Sequence, residues 1–287
     1  MIENKSDAKI MQALVNSWYD EFTIDALSKE SKLTRPSTYG ALEKLEKINV
    51  IEKENGRIRI NKTNIFAYRF KLLNDADRFL QLDEKTQSTI ANIYTTFKVA
   101  NGNNLSSFIV IGSTASLEKT ESSDIDFLVI LKKKKEISYE SIVKQGNINI
   151  IEKTEEEFEK DYLKADDFII SSLIMNLIIY DDGFFKIFLE RPFPEPTAEI
   201  ISIRKEKLYK RSKRLRNLLK EGDHEELIKE YRDYLIQKGR IILLERGIIP
   251  LSKQNVLNEI KKIDKKLYKR YFNANRQNIK KMVLIDE

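Results

Sequence analysis

The sequence predicts a helix-rich α+β chain in three parts: a small helical unit closed by a β-hairpin, a short strand-bearing segment, and a long helical tail. Three observations carry this. Apolar residues recur at three- and four-residue spacing over most of the 287 residues. Two brief apolar runs of strand type, 108–111 and 125–131, break that period, and an Asn55-Gly56 pair lies between stretches that alternate Ile with charged residues.

Composition narrows the chemistry. Hydrophobic residues make up 41% of the chain, enough for buried cores, and with 33% charged residues but only nine Gly and five Pro neither a collagen-like nor a wholly disordered composition fits. The absence of cysteine excludes disulfides, a thiolate nucleophile, zinc fingers and iron–sulfur clusters, and the single His224 excludes any paired-histidine metal site. The N-terminus is charged rather than apolar. The longest oily stretch, 168–180, is interrupted by Ser171, Ser172 and Asn176 and is too short to span a bilayer, so a cytoplasmic protein with no membrane partner is expected. Net charge is +6, and its placement matters more than its size. Residues 204–216 hold eight basic side chains and one acid, and 261–281 hold nine and one. Such runs serve either as solvated helix faces or as phosphate-contacting surfaces.

Residues 1–65 form the first part. Ile10, Leu14 and Trp18 share a helical face, and a second short helix starts after Thr23 around Ile24 and Leu27. A third follows Thr34, with Pro36 tolerated in its first turn and Leu42, Leu45 and Ile48 as its buried stripe. The text from Ile51 to Asn61 then reads as a hairpin about Asn55-Gly56, with Ile58 and Ile60 on one side and Arg57 and Arg59 on the other. Three helices and a hairpin with outward arginines resemble the winged helix-turn-helix family. The resemblance implies DNA binding, with Arg35, Ser37, Thr38, Tyr39 and Lys44 toward the major groove and Arg57 and Arg59 on phosphates. The same fold also serves as a protein-docking or dimerisation module. One such domain covers a short half-site, so either a homodimer or weak binding helped by the basic helices is expected.

Residues 66–104 carry helical periodicity and read as a connecting helix pair, ended by the loop that starts at Asn101-Gly102. The apolar run 108–111 is followed at once by Gly112-Ser113, and the run 125–131 is preceded by Ser123-Asp124. Side chains two apart on a strand point the same way, so Asp124 and Asp126 present paired carboxylates while Ile125 and Phe127 bury. Adjacent carboxylates repel unless a cation neutralises them, which suits Mg²⁺ or Mn²⁺ beneath a nucleotide's phosphates. Gly112 allows close backbone approach, and Ser113 offers a hydroxyl and helix-start N–H groups to the triphosphate.

Gly112-Ser113 followed by Asp124-Ile125-Asp126 resembles the Gly-Ser…Asp-x-Asp signature of the DNA polymerase β-type nucleotidyltransferase superfamily, and the surrounding text is similar to its minimal nucleotidyltransferase branch. The likeness covers about 105–152. It implies a small mixed-sheet core, nucleotide contacts from Gly112, Ser113 and Ser123, and metal and catalytic roles for Asp124 and Asp126. The implied chemistry is attack of an acceptor hydroxyl on the α-phosphate of an NTP, such as ATP, with release of pyrophosphate. Two positions depart from the family. Ser116-Leu117 stands where members often carry Arg-Gly, and Asn149 stands where a later strand usually supplies a third carboxylate. An amide oxygen can ligate a metal but brings no charge and cannot act as a base. Glu152 lies on the opposite strand face from Asn149 and could replace it only across a bulge.

Residues 154–287 carry mostly helical periodicity, with long helices expected at 197–221, 224–247 and from 252. The text 238–250 is similar to the HEPN-like helical domain found behind such nucleotidyltransferases. That resemblance implies an acceptor-facing bundle, with Lys207, Lys210, Arg211 and Arg214 toward an acidic acceptor. Arg216 and His224 are too far apart for the bundle's ribonuclease motif, so no RNase activity is expected. The sequence thus supports a Mg²⁺-dependent nucleotidyltransferase with a DNA-binding winged helix, acting on a tRNA or a protein. The alternative is a DNA-binding regulator whose degenerate nucleotidyltransferase domain senses nucleotides or is inactive. A toxin–antitoxin association would depend on a neighbouring gene.

Overall fold

The computed structural model describes residues 5–118, 124–134, 147–250 and 253–285. It forms two units by its contacts, Met1–Lys160 with Ser172–Pro192, and Asp161–Ser171 with Phe193–Glu287.

The first unit opens with three helices, α1 (Lys5–Asn16), α2 (Ile24–Glu30) and α3 (Arg35–Lys47). Thr23 and Thr34 cap α2 and α3 by accepting from the N–H groups of Ala26 and Ser37. Ile10, Leu14, Leu27, Ala41, Leu42 and Leu45 of these helices are buried, as is Trp18, whose indole N–H donates to the Leu189 carbonyl at 3.0 Å. The expected stripe on α3 fails at its last member. Ile48 caps the helix C-terminus and is 36% exposed, because Asn49 turns the chain with φ 57° and puts Val50 into the core instead. Strands β1 (Ile51–Glu54) and β2 (Arg57–Ile60) then pair antiparallel about Asn55 and Gly56, both at positive φ. Phe22 adds an antiparallel bridge to Ile58, its N–H and carbonyl each 2.8 Å from their partners. Ile58 and Ile60 are buried, and Arg57 and Arg59 face outward, as strand parity requires.

Helices α4 (Ile65–Leu80) and α5 (Glu84–Asn101) are the connecting pair. A four-stranded mixed sheet follows, made of β3 (Leu105–Ile111), β4 (Ile125–Leu131), β5 (Ile148–Thr154) and β6 (Asn176–Asp181) in the order β5-β4-β3-β6. β4 runs parallel to β5, whereas β3 runs antiparallel to both β4 and β6. One face packs Phe108, Val110, Phe127 and Val129 against Ile90, Ile93 and Phe97 of α5. β5 leads directly into α7 (Glu155–Leu163) through a capping box, in which Thr154 Oγ1 accepts from the Glu157 N–H and Glu157 accepts from the Thr154 N–H. Between β3 and β4 the chain makes a single helical turn, α6 (Gly112–Ala115).

The apolar stretch 168–180 is not wholly helical. It holds α8 (Asp167–Ile174) and then β6, whose run Leu177, Ile178, Ile179 is β-branched-rich and completes the sheet edge beside β3. α9 (Phe184–Glu190) closes this unit, with Phe158 of α7 packed on Phe185 and Phe188. In the second unit α10 (Ala198–Glu221) and α11 (His224–Leu244) form a long pair, joined at Gly222 and capped by Asp223. The expected tail helix divides into α12 (Lys253–Ile263), α13 (Lys265–Asn273) and α14 (Ile279–Ile285), each new segment opening where Asp264 or the Asn-rich 273–278 offers a cap or turn. Tyr231, Leu235, Leu243, Val256 and Ile260 anchor that core.

Candidate nucleotide site and nucleic-acid surface

The turn after β3 and the start of β4 meet as the residue types demand. Gly112 has φ 70°, and a Cβ built on it would lie 3.0 Å from Asp126 Oδ2. Only a glycine lets the backbone turn here with the carboxylate pressed against it. Asp126 is paired with Ile111 on β3 and with Asn149 on β5, so its carboxylate sits at the turn, partly exposed, while Ile125 and Phe127 are buried on the other face. Asp124 lies exposed just ahead of β4. Ser113 and Thr114 follow Gly112 inside α6, where the Ser116 hydroxyl donates to the Ser113 carbonyl at 3.2 Å. Ser123, expected to touch nucleotide, lies outside the described residues.

Asn149 stands opposite Asp126 in the β4–β5 register. Its Nδ2 donates to Asp126 Oδ1 at 3.0 Å. The β4–β5 register runs unbroken from Ile125 opposite Ile148 to Leu131 opposite Thr154, with no bulge. Glu152 therefore pairs with Val129 on the face away from Asp126, and burial pushes its carboxyl up, partly offset by Lys134. Among the described residues no group of three or more His, Cys, Asp or Glu is placed to hold a metal ion. Asp124, Asp126 and, with its amide turned so that the oxygen replaces Nδ2 beside Asp126, Asn149 would offer the hard oxygen donors that Mg²⁺ accepts.

Leu117, in the place of the glycine expected from the family pattern, has φ 61°. The backbone there keeps the left-handed conformation that glycine favours, and leucine adopts it under strain. One group that sequence reasoning missed is Arg78 of α4, which reaches the carbonyl of Ala115 at the end of the turn. Helical periodicity hides such a residue, because an arginine on a surface-like helix reads as solvated until the partner segment is in view.

On the winged helix the candidate DNA contacts separate. Tyr39 is 45% exposed, and Arg57 and Ser37 are exposed. Thr38 is fully buried: its hydroxyl donates to the Thr34 carbonyl and accepts from Ser28, so it cannot reach a base. Arg35 pairs with Asp25 at 3.1 Å, and Lys44 lies 3.5 Å from the buried Asp7. Arg59 is surrounded by Glu21, Glu52 and Glu54, which hold its guanidinium above its usual range, the hydrogen bond to Glu52 foremost. In the second unit the candidate acceptor contacts also carry partners. Lys210 pairs with Glu206, Arg211 with Glu230 and Asp233, and Arg214 with Glu226 and Glu230. Lys207 lines a cavity of about 320 Å³ with Arg204, Arg211 and Gln237.

Residues 100–209 match the family described as "Nucleotidyltransferase domain". The central segment is a nucleotidyltransferase domain. Residues 4–73 match "Sugar-specific transcriptional regulator TrmB", which makes the N-terminal segment a TrmB-type winged helix domain. Neither match extends beyond residue 209 into the rest of the helical tail. No curated protein matches the chain. It is similar to a solved nucleotidyltransferase-like protein from Exiguobacterium sibiricum 255-15, at 18% identity over 69% of this chain and 71% of that one, with a TM-score of 0.37. No helix among the described residues is long and apolar enough to cross a membrane.

Proposed function

We propose that the nucleotidyltransferase domain transfers a nucleoside monophosphate from an NTP to a hydroxyl of a macromolecular acceptor, a tRNA or a protein, while the winged helix binds DNA. The observation that carries this is the seating of the Asp126 carboxylate against Gly112, which joins the phosphate-turn half of the motif to its acidic half in one place. Gly112, Ser113 and Ser123 would contact the triphosphate, and Asp124 and Asp126 would hold a Mg²⁺ or Mn²⁺ with the Asn149 side-chain oxygen as the remaining protein ligand. A bound divalent ion would supply Lewis-acid neutralisation of the phosphate oxygens. The turn's N–H groups orient the chain of phosphates. Asn149 accepts no proton, so removing the acceptor's hydroxyl proton falls to Asp124, to Asp126 or to water. Lys207, Lys210, Arg211 and Arg214 are proposed for the acceptor, with Lys207 the member whose ammonium has no acidic partner among the described ion pairs.

The test is incubation with labelled NTPs, Mg²⁺ or Mn²⁺, and cellular RNA or protein. Transfer of label to an acceptor is expected from the natural chain, with a loss of at least 100-fold in Asp124→Ala and Asp126→Ala; equal labelling by these variants would refute the reading. A second reading is favoured by the Asn149 amide donating to Asp126: a DNA-binding regulator that senses a nucleotide without turning it over. Asn149→Asp separates the two. Activity appearing only in that variant identifies a domain withdrawn from catalysis, whereas an active natural chain identifies an enzyme that works with an amide at the third position.

A further inference from the structure

We propose that Arg78 is a positioning residue for the phosphate turn: from the last turn of α4 it fixes α6 by holding the carbonyl at its C-terminal end. This rests on the reading that Gly112 and Ser113 contact nucleotide phosphates.

The carbonyls of the turn are taken up in sequence. Gly112 O accepts from the Ser116 N–H at 3.1 Å, Ser113 O from the Glu118 N–H at 2.9 Å, and Thr114 O from the Leu117 N–H at 3.3 Å. For the fourth, Ala115 O, the donor is Arg78 Nη2. The other terminal nitrogen of the same guanidinium, Nη1, donates to the Asn176 carbonyl at the start of β6, at 3.0 Å, and to Asp75 Oδ1, at 3.1 Å. One planar group therefore ties the end of the turn to the edge strand of the sheet. A guanidinium suits this because its donors point along fixed directions, which an ammonium cannot reproduce.

The arginine is itself held from behind. Asp75 is fully buried, and besides Arg78 it accepts from Lys71 Nζ at 2.9 Å and from the Ile178 N–H at 3.1 Å. A buried carboxylate that also accepts from the Lys71 amine and a backbone N–H leaves little freedom to the Arg78 side chain, only 16% of which is exposed. The turn needs such support. It is one turn long, Leu117 follows it in a strained conformation, and Gly112 opens it at positive φ, so its own backbone does little to fix its direction.

Three forms of the full chain distinguish this from a mere bolt between helix and sheet: natural, Arg78→Lys and Arg78→Met. Each is titrated with fluorescent mant-ATP and mant-GTP in the presence of Mn²⁺, and with a labelled DNA duplex. Arg78→Lys keeps a cation beside Asp75 yet cannot hold two carbonyls at once. It should bind triphosphate about 5- to 10-fold more weakly, and Arg78→Met more weakly again, with duplex affinity unchanged within twofold and the thermal midpoint of the lysine variant near that of the natural chain. The intermediate rank of lysine is the signature of positioning. Should the methionine variant fail to fold, the lysine variant decides alone. Undiminished triphosphate affinity in a folded Arg78→Lys overturns the proposal and leaves the nucleotide reading intact. No triphosphate binding by the natural chain overturns both.

Discussion

Leu117 occupies a backbone position made for glycine. Its φ of 61° costs an ordinary side chain about 1 kcal/mol. Leu117→Gly is therefore expected to gain up to about 1 kcal/mol in the folded form, less the larger backbone entropy that glycine brings to the unfolded chain, read as a shift in urea midpoint. A lower midpoint would show that the leucine side chain does more by packing than it loses by strain. A second residue-scale effect is electrostatic. Lys62 sits with its ammonium 3.9 Å from the centre of the Tyr19 ring, and burial, with Arg59 nearby, lowers its pKa from the ordinary 10.5 to about 8. Between pH 8 and 10.5 the unfolded chain binds this proton and the folded chain does not, so stability contributed by Lys62 rises with pH across that window. Lys62→Met should flatten that part of a stability-against-pH curve; an unchanged slope would place the titration elsewhere.

Among elements, α11 and α12 meet through Gly239. A Cβ there would lie 3.0 Å from Val256 Cγ1 and 3.1 Å from Ile260 Cγ1, both in the buried face of α12. Alanine would gain helix propensity of about 1 kcal/mol and lose a similar amount to crowding, whereas valine adds bulk with no such offset. Gly239→Val should cost about 2 kcal/mol or more in thermal unfolding, and a loss below about 0.5 kcal/mol would mean that the two helices move apart freely. The strands behave similarly: in β4 and β5 the side-chain parity assigns Asp126 and Asn149 to one face and Glu152 to the other, and an unbroken register keeps them there.

For the whole molecule, the formal surplus of +6 misleads about where nucleic acid would lie. Basic side chains on α10 meet acids from α11, and Arg59 on the hairpin meets three glutamates, so much of the visible positive charge is internally spent. Arg57, exposed on the same hairpin, has no carboxylate in ion-pair range among the described residues. Arg57→Ala is expected to weaken duplex binding several-fold and to reduce the slope of log affinity against log salt by about 1, while Arg59→Ala changes that slope far less. The reverse order, measured by fluorescence anisotropy at several salt concentrations, would mean that Arg59 leaves its glutamates on binding.

Much of this was open to a reader of the chain alone. Periodicity gave the helices, alternation and the positive-φ Asn55-Gly56 gave the hairpin, and two-residue parity gave the paired carboxylates of Asp124 and Asp126, because each depends on local geometry; the nucleotidyltransferase reading came from the resemblance of Gly112-Ser113 and Asp124-Ile125-Asp126 to that family's signature. The tertiary structure decided what distant segments supply. It turned 176–181 into the sheet's edge strand, since a short apolar run is helix or strand according to its neighbours; it buried Thr38 while leaving Tyr39 outside; and it brought Arg78, held by Asp75, to the end of the turn after β3 from a helix more than thirty residues earlier. Local steric rules are written in adjacent residues, whereas the partner of a buried charge is chosen only when the chain closes on itself.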